Sequence, residues 1–168
     1  MNYKLEQLDA FTVIGFEQII SNQTAYRDCP AFWQEYQDRY MLPLLSRGVP
    51  QGALEQAIWD NRIGEFGVCV CLGNDSFRYL IAGTYQGGPV PEGLTLFSFP
   101  ASLWAKFTTK GSMPQAIQAL NTRLFSEFLP SHPEWELRMG VNVEWYSMED
   151  TAGADYESGI WIPIREKH

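Results

Sequence analysis

The chain has 168 residues, of which 45% are hydrophobic and 14% aromatic, which gives one domain with a sizeable core and excludes extended disorder. Its formal net charge is −8 and no Lys/Arg cluster is present, which argues against direct binding to DNA or RNA, since that requires a basic footprint. The N-terminus lacks a charged segment followed by an apolar run, and no stretch approaches ~20 apolar residues. Neither a secretory signal nor a membrane span is predicted, and the cytoplasm is the default location.

Residues 3–20 read as one long strand or two, with Phe11, Val13 and Gly15 alternating against Thr12, Ile14 and Phe16. A polar segment follows, and Asp28 is the predicted N-cap of a helix with Pro30 in its first turn. That helix carries Phe32, Trp33, Tyr36 and Tyr40 at helical spacing; Pro43 should kink or end it, and Gly48 to Pro50 close it. Residues 51–65 are ambiguous between a helical turn and a loop. Strands are predicted over 66–72 and 77–85, around a turn at 73–76. The Gly- and Pro-rich segment 87–93 is the clearest linker and the expected boundary between a module of residues 1–86 and one of residues 94–168.

The second half opens with strands over 94–99 and 103–109. Ser112, Pro114 and Gln115 make a strong helix start of the capping-box type, followed by an apolar stripe of Ile117, Leu120, Leu124, Phe125 and Phe128 that Pro130 should stop. Two strands joined by an acidic connection end the chain. In the first, Val141, Val143 and Trp145 share one face and Asn142, Glu144 and Tyr146 the other. In the second, Ile160, Ile162 and Ile164 lie opposite Glu157, Gly159 and Trp161. Each half thus reads strand, helix, strand, strand. The predicted fold is α+β: a duplicated module related by a pseudo-two-fold, with antiparallel sheets, one main helix per module and a cleft between the modules.

Chemistry-bearing motifs are few. Cys29, Cys69 and Cys71 form no CxxC pair, Cys69 and Cys71 read as small apolar residues on one strand face, and the histidines are His132 and His168, so no metal site and no cofactor is predicted. No nucleophile elbow, P-loop or dinucleotide fingerprint occurs. The conspicuous residue is Glu144, held mid-strand between Val143 and Trp145. On a solvent face it needs no partner; if buried it does, because an isolated ionised carboxylate is strongly disfavoured in an apolar site. A cationic ligand is one such partner. Trp33, Tyr36, Tyr79, Trp104 and Trp161 are candidate aromatic walls, Glu157 is a second carboxylate, and Gly159 marks a bulge, a close backbone approach or a widened cleft beside Trp161.

Four stretches taken in order resemble the GyrI-like small-molecule-binding domain, which also forms the effector-binding half of many AraC-type and some MerR-type transcription regulators. They are Phe99-Pro-Ala-Ser-Leu-Trp-Ala-Lys-Phe, Gly111-Ser-Met-Pro-Gln-Ala, Val143-Glu-Trp-Tyr, and Asp155-Tyr with Ile160-Trp-Ile-Pro-Ile. The resemblance spans nearly the whole chain and is strongest from Pro91 onward. It implies two tandem modules and a cleft at their junction for amphipathic, often cationic and aromatic compounds, with aromatic walls and a buried Glu. The family's last-strand pattern, Glu-Ile-Trp-Ile-Pro, has Gly159 at its acidic position here, which leaves Glu144 or Glu157 to supply the charge. It further implies a stand-alone member with no helix-turn-helix, acting by holding a small molecule. Two alternatives stay open: a protein-interaction modulator of a regulator or topoisomerase, and a hydrolase of strained-ring electrophiles with Glu144 as base and Tyr146 assisting.

Overall fold

In the computed structural model, which describes residues 1–147 and 152–167, a nine-stranded antiparallel sheet organises the chain. Its strands are β1 (Asn2–Leu8), β2 (Phe11–Ser21), β3 (Phe66–Cys71), β4 (Ser76–Thr84), β5 (Thr95–Phe99), β6 (Ser102–Lys110), β7 (Trp135–Leu137), β8 (Val141–Tyr146) and β9 (Glu157–Glu166). They lie in the order β1-β6-β9-β8-β3-β4-β2-β5, with β7 beside β9. That order reads as a two-fold about the central β3–β8 pair: β4 answers β9, β2 answers β6 and β5 answers β1. The halves are the duplicated modules of an α+β fold. They exchange an edge strand, because β1 pairs with β6 and β5 pairs with β2. Residues 87–93 join β4 to β5 within one half-sheet, and the chain crosses between the half-sheets from β1 to β2 and from β5 to β6.

Strand alternation divides the side chains between two faces. Val68, Val143, Leu80, Phe99 and Trp104 bury one face, and Phe11 touches Trp104 across it with ring centroids 5.8 Å apart, although β2 and β6 stand second from opposite ends of the order. The sheet therefore curls around this core. The other face carries the helices in two clusters, one around Tyr36, Tyr79 and Ile81 and one around Leu120, Leu124 and Ile160. Each fully buried aliphatic or Phe side chain contributes about 1.5–3 kcal/mol, so both faces hold the curl.

The helices are α1 (Ala25–Tyr36), α2 (Leu42–Arg47), α3 (Gly52–Asp60), α4 (Gln115–Arg123) and α5 (Leu129–Ser131). Widened π-type turns, Gln37–Met41 and Leu124–Phe128, join α1 to α2 and α4 to α5 without a break. Each is followed two residues later by a proline, Pro43 or Pro130. A helical proline lacks an N–H and presses on the carbonyl four residues back, and here that residue, Arg39 or Ser126, lies inside the widened turn. The first helix therefore runs on past Pro43 to Arg47, whereas the second ends at Ser131, one residue after Pro130, where a stop was expected. At the first helix, the structure differs from the sequence expectation. The helix starts at Ala25, Asp28 lies within the first turn accepting a 2.5 Å hydrogen bond from Thr24 Oγ1, and Pro30 sits in the helix interior. Ser112 donates to the carbonyl of Ala152 instead of capping α4. Gly48, at φ 77°, ends α2 as anticipated. The acidic connection before β9 lies partly outside the described residues. Among those described, no helix is long and apolar enough to cross a membrane.

Candidate ligand-binding cleft

Between α1 and α4, over the central pair β3–β8, lies a cleft of about 1380 Å³. Its floor is the helix-side face of those strands, which carries Gly67, Cys69 and Cys71 of β3 and Asn142, Glu144 and Tyr146 of β8. Apolar neighbours at alternate positions, Val68, Val143 and Trp145, anchor both strands to the core beneath.

Glu144 is the centre of a hydrogen-bonded cluster. Its Oε1 accepts a 2.5 Å hydrogen bond from the Tyr79 phenol and a 2.8 Å one from the Tyr146 phenol. Trp33 Nε1 of α1 donates to Tyr79 Oη at 2.7 Å, and the Trp33 and Tyr146 rings meet edge-on with centroids 4.9 Å apart. Tyr36 is buried at the same wall, its phenol donating to the Ile63 carbonyl at 2.7 Å. Among the described residues no Lys or Arg pairs with Glu144. Its carboxyl is held above the ordinary value of 4.5, because burial outweighs the opposing effect of the two phenol hydrogen bonds. Burial and then the Glu144 charge push Cys29 up to about 12 and Cys69 well up from 9.0, which keeps both thiols protonated and unreactive. Glu144 is half-buried: its carboxylate is surrounded by protein yet faces open cleft.

Gly67 makes this cluster possible. A Cβ there would stand 2.3 Å from Tyr79 Oη and 2.6 Å from Glu144 Oε1, so only glycine lets the phenol of β4 cross β3 to a carboxylate on β8. Sequence reading passed over Gly67, Cys29 and Cys69 as site residues; a glycine inside a strand is a signal of close approach.

Of the residues singled out from sequence, Glu144, Tyr146, Tyr79, Trp33 and Tyr36 come together in the cleft. Four do not. Trp104 is fully buried in the core on the other face. Trp161 lies on that face too, under Lys106, whose Nζ stands 3.9 Å from the ring centroid and 2.9 Å from Glu6. Glu157 is exposed at the start of β9, away from the cleft. Gly159 pairs with Trp145 and faces away from the cleft; a Cβ there would meet the Phe107 carbonyl oxygen at 2.3 Å. It is a close strand approach and does not widen the cleft.

Residues 4–164 match the Cass2 family, described as integron-associated effector binding protein. The transcriptional regulator BrlR of Pseudomonas aeruginosa is 34% identical over 103 residues; the match covers 59% of this chain and only 37% of that regulator. The fold is shared with SAV2435 bound to tetraphenylphosphonium, at TM-score 0.77 and 21% identity over 98% of this chain and 94% of that one. It is shared too with an integron cassette protein of Vibrio cholerae, at TM-score 0.62 and 14% identity over 97% and 95% of the two chains.

Proposed function

This chain belongs to the Cass2 family of integron-associated effector-binding proteins, and we propose that its cleft holds lipophilic aromatic cations, with Glu144 as their counter-charge. The observation that carries this reading is the company Glu144 keeps. Its carboxylate is buried in a cleft with neutral phenols as its only hydrogen-bond donors among the described residues. A carboxylate in that setting lacks a positive partner, and an entering cation supplies one. The Trp33 and Tyr146 rings flank the charge and add cation–π attraction of about 0.5–2 kcal/mol. That SAV2435, of the same fold, has been seen with tetraphenylphosphonium agrees in ligand class. The phenols orient the carboxylate before ligand arrives, so little side-chain freedom is lost on binding.

The role is binding, by sequestration or by relay to a regulatory partner. It is tested by a crystal structure of the protein with tetraphenylphosphonium: density for the cation against Glu144 and the Trp33 ring supports it, and density elsewhere with the cleft free contradicts it.

A further inference from the structure

The two helices that wall the cleft are held unequally. α4 and the turn after it bury Ile117, Leu120, Leu124 and Phe128 in the core, so that wall is anchored along its length. In α1 only Tyr36, the last residue, is buried. Ahead of it, Cys29, Phe32 and Trp33 are partly buried against Cys69, Phe77 and Tyr79. A segment with few fully buried contacts opens locally at low free energy. The widened turn Gln37–Met41 follows directly on Tyr36, and turns of this kind are where helices kink. α1 is thus an arm fixed at its C-terminal end.

The other end of the arm is tied to α4. Pro30, inside α1, has no N–H, so the carbonyl of Tyr26 four residues back lacks its helical donor. Gln118 Nε2 of α4 donates to that carbonyl at 3.2 Å. The Tyr26 phenol in turn donates to the Gln118 carbonyl at 3.3 Å, lies 3.1 Å from Thr122 Oγ1 and accepts from Asn121 Nδ2 at 3.2 Å. Tyr26 is exposed at the cleft rim, where its hydrogen bonds exchange readily with water. Among the described residues no ion pair joins the two helices.

We infer that α1 is a door to the cleft, pivoting at Gln37–Met41 and latched to α4 through Tyr26 and Gln118, and that ligand passes when the latch opens. The door belongs to the empty protein and does not depend on which compound Glu144 receives. Its swing carries Trp33 away from Tyr79 Oη, so opening also loosens the phenol that holds Glu144, and closing restores it. The latch bonds exist only in the closed state. Weakening them raises the open population and speeds entry and exit together.

The test is the pair Tyr26→Phe and Gln118→Met, which removes the phenol and the side-chain donor while keeping bulk. Burial keeps Cys29 and Cys69 unreactive behind the closed door, so their modification reports opening. In the ligand-free double variant, labelling of both by fluorescein maleimide, located by mass spectrometry, should speed up about fivefold or more on loss of these hydrogen bonds. The exposed Cys71 should label at the wild-type rate. In stopped flow, tetraphenylphosphonium should associate and dissociate faster by similar factors. Unchanged labelling of Cys29 and Cys69 overturns the door, and so does equal acceleration at all three thiols, which is general loosening. Faster dissociation with unchanged association also overturns it, because the latch residues would then be ordinary ligand contacts. Failure of the cation to bind overturns the head-site reading alone and leaves the thiols to decide the door. Each single variant should fall between wild type and the pair, and decides the matter if the pair does not fold.

Discussion

The Tyr79 phenol reaches Glu144 Oε1, 2.5 Å away, only across Gly67, the one residue of β3 between them without a side chain in the way. Gly67→Ala should push the phenol off the carboxylate. The fold loses a hydrogen bond to a charged group, about 1.5–3 kcal/mol, and the carboxylate loses its fixed orientation. Denaturant midpoints and tetraphenylphosphonium titration should both fall for this variant. Unchanged values in both would show that the phenol contact does not organise the site.

Glu144 gives a pH signature. Its folded pKa lies above the ordinary 4.5, so the folded state binds the proton more tightly than the unfolded chain. That contribution is fully present below about pH 4 and is lost as pH rises through the folded pKa. Glu144→Gln has no such loss. Urea midpoints at pH 4 and pH 8 should therefore show the variant gaining on wild type at the higher pH. A difference that is the same at both values would contradict the raised pKa. Cation affinity should move the other way with acid, falling as Glu144 protonates.

Tyr146→Phe removes one of the two donors to Oε1 and keeps the ring beside Trp33. With one lowering influence gone, the Glu144 pKa should climb further. The pH at which cation binding is half lost should shift upward in this variant. A profile superimposable on wild type would assign the phenol no electrostatic role.

The faces of β8 were legible from alternation alone: Val143 and Trp145 pack in the core, and Asn142, Glu144 and Tyr146 face the cleft. The same period misplaced Trp104 and Trp161, because alternation sorts residues within one strand without telling which face receives the helices. The exchange of β1 and β5 left no local trace, since strand pairing joins residues far apart in sequence. Nor did the π-type turns: Pro43 and Pro130 signal a perturbed helix, and only packing decides whether it ends or bends. Gly67 was readable as a glycine within a strand, but the phenol that needs the space comes from β4, and the carboxylate it meets comes from β8.

Binding and hydrolysis are separable at the same carboxylate. A general base activates water and consumes the ligand, whereas a counter-charge leaves it intact. Wild type incubated with a strained-ring electrophile should return it at the uncatalysed rate. Product formed by wild type and abolished in Glu144→Gln would establish the enzyme reading.

The most direct measurement of the central claim is charge selectivity at Glu144. Affinities for tetraphenylphosphonium and for neutral triphenylphosphine oxide should be measured by tryptophan fluorescence on wild type and Glu144→Gln at pH 8. The variant keeps the shape and removes the charge, so the cation should lose about 1–3 kcal/mol of affinity, the range for a hydrogen bond to or desolvation of a charged group. The neutral compound should lose much less. Equal losses for the two compounds, or none for either, would contradict Glu144 as the counter-charge of the cleft.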